Sequence, residues 1–167
     1  MKTKNYIILA IIFVITILST LYFCRIYSNS LVNVDESTIG DVLIDVTGSS
    51  YDALYNNIVN FGKENHDYIV YVASYKTTDI SALENNLRKA VVDGSFKNIV
   101  YINVDALKKY DYINRFVSEF SNDSISRIER SDLPVFICFR NEKIDKAVSI
   151  MNMDEKSLES ILVDYND

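Results

Sequence analysis

Apolar residues along most of this chain alternate between short continuous runs and longer stretches with helical spacing. The continuous runs are rich in Val, Ile, Tyr and Phe and predict strands at 42–46, 68–73, 99–104, 135–139 and 147–151. Apolar residues recurring every three or four positions predict helices at 51–61, 80–91, 107–120 and 158–165. The predicted order is β-α-β-α-β-α-β-β-α, an α/β arrangement whose alternating part implies parallel strands with helices on both faces.

Local signals mark where the helices begin and end. Gly62 is expected to end the first helix. Ser81 with Glu84 fits a capping box for the second helix, and Thr77 or Thr78 fits the same capping role.

Two further patterns concern helix surfaces and starts. Glu84 and Arg88 have the i, i+4 spacing of a surface ion pair. Asn152 with Glu155 fits a capping box ahead of the last helix.

The N-terminal segment has the length and character of a membrane anchor. Residues 6–24 carry no charge, and as a helix they span about 28 Å at ~1.5 Å per residue, close to a hydrocarbon core of ~30 Å. We therefore predict a cytoplasmic tail at 1–5, a single transmembrane signal anchor at 6–25, a tether at 26–38 and a folded domain at 39–167. A cleaved signal peptide, ending near Ser28-Asn29-Ser30, is the alternative.

Charge places the folded domain outside the cytoplasm and away from nucleic acid. Lys2 and Lys4 precede the span and only Arg25 follows it closely, which favours a cytoplasmic N-terminus and an extracytoplasmic domain. The chain has a net charge of -6, and residues 1–30 contribute +3, so the remainder carries -9. Such an acidic domain repels phosphate backbones and excludes nucleic acid as a partner.

The cysteine and histidine content leaves little for catalysis. The chain has Cys24, Cys138 and the single histidine His66, with no CxxC motif and no cluster of metal ligands. We expect no metal, no cofactor and no catalytic residue. Cys138 lies inside a predicted central strand, where burial raises the pKa of its thiol and makes it a structural core residue.

The stretch YKTTDIS, residues 75–81, connects a predicted strand to a predicted helix. This is a common position for active sites, but the stretch offers no cysteine, histidine or glycine. Thr77, Thr78 and Asp79 are typical helix-capping residues at this position.

The order of three further segments resembles that of the thioredoxin fold over residues 40–167. They are YIVYVAS followed by a loop and a long helix, IVYINVD, and SDLPVFICFRNEKIDKAVSI. The chain is most similar in pattern to small bacterial thioredoxin-like accessory proteins associated with bacteriocin transport. The resemblance implies a cis bond between Leu133 and Pro134 facing the active site. It also aligns the family's CxxC with residues 77–80, where Thr77 and Ile80 replace both cysteines.

The resemblance therefore predicts a binding module that has lost redox chemistry. We expect it to hold a protein or peptide partner beside a peptide-export or secretion system. The expected groove comprises Tyr75, Thr77, Thr78, Asp79, Leu133 and Pro134. Two alternatives remain: a thiol-disulfide oxidoreductase that uses Cys138 or a partner's cysteine, and a structural subunit whose membrane span is the interface.

Overall fold

The computed structural model describes residues 39–77, 80–121 and 125–166, together with Phe13, Thr16, Ile17, Ser19 and Thr20. The chain divides into two units, Met1–Asp35 and Glu36–Asp167. In the first unit, the five described residues are helical and exposed. Among all described residues, no helix combines the length and the apolar character that crossing a membrane requires. Most of the predicted anchor, the tail, the tether and Cys24 lie outside the described residues.

The second unit is built on a mixed five-stranded sheet. Its strands are β1 (Ile44–Asp45), β2 (Asp67–Ala73), β3 (Ile99–Asn103), β4 (Val135–Arg140) and β5 (Lys143–Ser149). They lie side by side in the order β1-β3-β2-β4-β5. The β1–β3 and β2–β3 pairs are parallel, whereas β4 is antiparallel to both β2 and β5.

Four helices connect and flank these strands. They are α1 (Tyr51–Glu64), α2 (Ile80–Asp93), α3 (Asp111–Phe120) and α4 (Glu155–Asp164). The observed sequence of elements is the predicted β-α-β-α-β-α-β-β-α order, apart from short 3-10 turns at Val104–Ala106 and Arg130–Asp132. This order, with a parallel first half and a terminal antiparallel hairpin, is a thioredoxin-like fold.

The sheet separates two hydrophobic layers, as the period-2 alternation of strand side chains requires. In β2, Tyr68, Val70 and Val72 pack with buried residues of α1 and α3. Ile69, Tyr71 and Ala73, the alternate positions, pack with buried residues of α2 and α4. Because helices cover both faces, β2 is buried along nearly its whole length and reads as a continuous apolar run.

Several predicted boundaries were wrong. β1 is only two residues long, β5 begins at Lys143 rather than Ala147, and α3 begins at Asp111 rather than near Leu107. Gly62 does not end α1 but lies in its last turn. A Cβ atom at Gly62 would lie 3.0 Å from the Tyr68 hydroxyl oxygen, so this glycine permits close packing of α1 on β2.

Two predicted capping boxes and one predicted ion pair were also wrong. Helix α2 begins at Ile80, before Ser81, so the Ser81–Glu84 capping box is not formed. Glu84 does not pair with Arg88; it is buried and its carboxylate accepts a hydrogen bond from the Tyr71 hydroxyl at 3.1 Å. The N-cap of α4 is Asp154, whose carboxylate accepts from the Ser157 amide, and not Asn152.

Candidate functional site

One end of the sheet gathers the segments that the sequence marked as functional. The carboxyl ends of β1, β2, β3 and β5 and the amino end of β4 meet there, because β4 alone runs in the opposite direction. A cleft of about 350 Å³ opens at this end. It is lined by Ser74, Lys76, Thr77, Arg130, Ser131, Leu133 and Met151. We call it the strand-end cleft.

The predicted groove residues fall on or beside this cleft as far as they are described. Thr77 and Leu133 line it, from the turn after β2 and the loop before β4. Pro134 is buried next to Leu133, and the bond between them is cis, as the resemblance implied. Tyr75 packs edge-on against Tyr101 of β3, with ring centroids 6.4 Å apart. Thr78 and Asp79 lie outside the described residues.

Hydrogen bonds to Asp105 hold the turn after β2 in place. Ser74 donates through its hydroxyl to Asp105 Oδ2 at 2.8 Å, and the Lys76 amide donates to Ser74 Oγ at 3.2 Å. The Lys76 Nζ atom lies 3.5 Å from Asp105 Oδ1. Burial by itself would raise the pKa of Asp105, but the Ser74 hydrogen bond and the Lys76 ammonium outweigh it and lower that pKa. Asp105 therefore stays ionised and anchors both residues.

The same polar chain continues across the sheet to β1. The Asp105 amide donates to Asn103 Oδ1 at 3.0 Å, and the Asn103 amide donates to the Thr47 hydroxyl oxygen at 2.8 Å. Thr47 in turn donates to Asp45. These bonds satisfy polar groups at the strand ends and connect the turn after β2 to the residues that follow β1 and β3 in one hydrogen-bond network.

The other wall of the cleft is the segment before β4. Here the 3-10 turn Arg130–Asp132 is closed by the Glu129 amide, which donates to Asp132 Oδ2 at 2.7 Å. The guanidinium carbon of Arg130 lies 5.0 Å from the ring centroid of Tyr110, within the range of a cation–π contact. The Tyr110 hydroxyl donates to the Ile128 carbonyl oxygen at 3.2 Å. The Tyr110 ring, which this hydrogen bond holds in place, therefore packs against the Arg130 guanidinium.

Cys138 is separate from the cleft. It is fully buried in β4, in the hydrophobic layer covered by α2 and α4, and it is a free thiol. Burial raises the pKa of the Cys138 thiol to about 12 despite the opposing charge of Lys146. The prediction that Cys138 is a core cysteine with a raised pKa is confirmed.

The chemistry of the cleft is therefore that of hydroxyls, cations and apolar contacts. The described residues that line it include neither a thiol nor an imidazole. Ile80, which the resemblance predicts to replace the second family cysteine, is a buried apolar residue at the start of α2. His66 is exposed and directly precedes β2. Within the described ranges, no three potential His, Cys, Asp or Glu ligands are grouped as a metal site would require.

Sequence reasoning missed several residues of the cleft. Ser74, Lys76, Arg130, Ser131 and Met151 line it but were not predicted. Asp105, which positions two of them, ends the segment IVYINVD and lies two residues after the end of β3. The meeting of parallel strand ends at one sheet edge could have identified Asp105 as a neighbour of Ser74.

A larger cleft, of about 570 Å³, lies beside α3 and is lined by residues that include Asp111, Arg115 and Arg127. It shares no lining residue with the strand-end cleft.

Comparison with known proteins adds little to these observations. No protein-family model matches the chain. No curated protein matches its sequence. Among solved structures, a mutant thioredoxin from Halobacterium salinarum NRC-1 is similar with a TM-score of 0.49 and 13% sequence identity. That match covers 74% of this chain and 90% of the thioredoxin. The thioredoxin-like fold described above follows from the order and direction of the strands.

Proposed function

We propose that this chain is a binding module: a membrane-anchored, extracytoplasmic thioredoxin-like domain that holds a protein or peptide partner without redox catalysis. The observation that carries the proposal is the strand-end cleft, which joins the turn after β2 to the loop before Pro134. In redox-active proteins of this fold, the corresponding surface receives the substrate chain. Binding of an extended chain beside a strand end uses backbone hydrogen bonds and side-chain contacts and does not require a thiol.

The absence of redox chemistry in this proposal rests on the residues at the cleft. Disulfide exchange requires a thiolate, and a cysteine at a helix N-terminus supplies one because its pKa is lowered there. Thr77 and Ile80 provide a hydroxyl and an alkyl group at those positions. The oxidoreductase alternative would have to use Cys138, whose thiol is buried and has a pKa of about 12, so it is disfavoured.

The remaining elements of the proposal come from the sequence. The uncharged stretch at 6–24 supports the single-pass anchor, and the charges that flank it support an extracytoplasmic domain. The resemblance to bacteriocin-transport accessory proteins supports a place beside a peptide-export system.

Site-specific photocrosslinking in native membranes tests the proposal. A photoreactive amino acid would replace Thr77 or Ser131 on the two walls of the cleft, and Val163, which is exposed on α4 and does not line the cleft, as a control. We expect Thr77 and Ser131 to crosslink to the same polypeptide and Val163 not to do so. Identical products from all three positions, or none from the two cleft positions, would rule out the cleft as the binding surface.

A further inference from the structure

We propose that the strand-end cleft selects an extended peptide segment that carries a carboxylate side chain, so that the partner is acidic at the contact. This inference rests on the proposed binding function and specifies the chemistry of the bound segment. Its basis is a local reversal of charge. The chain beyond residue 30 carries a net charge of -9, yet among the described residues that line the cleft the charged ones are Lys76 and Arg130, and none is acidic.

Lys76 and Arg130 can each contact a ligand while keeping their contacts with Asp105 and Tyr110, respectively. The Lys76 side chain is 79% exposed, and Asp105, 15% exposed, lies on its inner side. Arg130 stacks over Tyr110, and it forms no ion pair with any described residue. Face stacking leaves the in-plane N–H groups of a guanidinium available, and those groups match a carboxylate in a bidentate manner.

The remaining lining argues for a peptide rather than a small free anion. Leu133 and Met151 supply apolar surface, and Ser74, Thr77 and Ser131 supply hydroxyl groups. A cleft of about 350 Å³ is several times larger than a carboxylate group. A peptide with one acidic side chain among apolar ones matches this lining. Its carboxylate would pair with the cations, its apolar side chains would contact the apolar surface, and its backbone would bond to the hydroxyl groups.

A binding selection on the full-length chain, held in phosphatidylcholine nanodiscs, tests this inference. The probe is a mixture of random twelve-residue peptides with blocked termini, and the readout is the Asp and Glu content of the retained pool relative to the input. The test variant is Lys76→Gln with Arg130→Gln. The matched control is Arg88→Gln with Lys143→Gln, two exposed cations outside the cleft lining that give the same change in net charge.

On the wild type and the control we expect Asp and Glu to be enriched about two- to fivefold for each cation engaged, a preference that falls with added salt. The test variant should lose that enrichment while still retaining peptides. Asp105→Asn should increase it, because a negative charge beside Lys76 is removed. This variant shifts the preference in the opposite direction, so a folding defect in the double variant cannot produce both results.

Three outcomes overturn the inference, and they separate it from the proposed function. Equal enrichment on the test variant, or retained peptides without acidic enrichment, removes the acidic selectivity and leaves peptide binding intact. A wild-type chain that retains no peptide overturns both the selectivity and peptide binding at this cleft.

Discussion

At the scale of single residues, Glu84 is the clearest departure from what its sequence position suggested. It is 2% exposed on α2, and its carboxylate accepts a hydrogen bond from the Tyr71 hydroxyl. Burial raises the pKa of Glu84, and the Tyr71 hydrogen bond only partly opposes that effect. Tyr71 stacks with Tyr101 at 5.6 Å, and Tyr101 contacts Tyr75 of the cleft turn. The carboxyl therefore lies next to a cluster of aromatic rings.

We predict that Glu84→Gln stabilises the protein at pH 8. The pKa of Glu84 is higher in the folded state than its ordinary value of 4.5. The contribution of Glu84 to stability is therefore fully present below pH 4.5 and is lost as the pH rises through the folded-state pKa. Glutamine removes the buried charge, so the gain should be about 1 kcal/mol at pH 8 and close to zero at pH 4. Urea unfolding at both pH values measures it, with the exposed Glu159→Gln as control. A loss of stability at pH 8 would contradict this account.

The second residue-scale prediction concerns the Cys138 thiol. A thiol with a pKa of about 12 is almost wholly protonated near neutral pH, and burial in β4 blocks access to it. In a Cys24→Ser background, which leaves Cys138 as the only cysteine, we expect a thiol reagent to react with the native protein orders of magnitude more slowly than with the urea-unfolded protein. Rapid reaction of native protein at pH 7 would instead revive the oxidoreductase alternative.

At the scale of elements, the hairpin turn between β4 and β5 has a backbone conformation that one of its two loop residues does not favour. Arg140 pairs with Lys143, so Asn141 and Glu142 form a two-residue loop. Both loop residues have positive φ, at 51° and 65°, as in a type I′ turn. Asparagine tolerates that region, whereas glutamate there is strained by its Cβ atom.

We therefore predict that Glu142→Gly stabilises the hairpin and the protein by about 1 kcal/mol, because Asn-Gly is the preferred pair for this turn. The midpoint of urea unfolding should rise while the dependence on urea stays unchanged. Glu142→Ala removes the same carboxylate but keeps the Cβ atom, so it should bring no comparable gain. Equal stabilisation by alanine would assign the effect to charge and not to backbone strain.

At the scale of the whole molecule, the fold brings distant segments to one end of the sheet. Residues 74–77, 103–105 and 130–134 meet there, although more than fifty positions separate the first from the last. Asp105 connects to the turn after β2 through Ser74, across thirty-one positions of sequence. The candidate site is thus a product of strand order and direction.

If this turn occupies the position of a redox motif, restoring the cysteines should restore the chemistry. We predict that Thr77→Cys with Ile80→Cys, in a background of Cys24→Ser and Cys138→Ser, accelerates the reduction of insulin disulfides by dithiothreitol. The physical reason is that a cysteine at the N-terminus of α2 gains thiolate character. The background protein and the Thr77→Cys single variant are the controls and should show no acceleration. Inactivity of a folded double variant would argue against the alignment of residues 77–80 with the family's motif.

Much of the secondary structure was accessible from sequence because it depends on local periodicity. Short continuous apolar runs indicated all five strands, a period of about 3.6 residues indicated four helices, and together they gave the thioredoxin-like order. Element ends were less accessible, as Gly62 shows: a glycine that permits packing looks like one that ends a helix.

The sequence by itself determined the element order, the burial of Cys138 and the acidity of the domain beyond residue 30, since these follow from composition and short-range pattern. It also placed Thr77, Leu133 and Pro134 together in one predicted groove, and Thr77 and Leu133 do line the same cleft. Only the tertiary structure decided that Glu84 turns inward to Tyr71, that Asp105 anchors Ser74 and Lys76, and that Arg130 faces Lys76 across a cleft. The physical reason is that these contacts depend on strand pairing and on which side of a helix is buried. Strand pairing joins residues that are far apart along the chain. Local sequence spacing specifies neither of these.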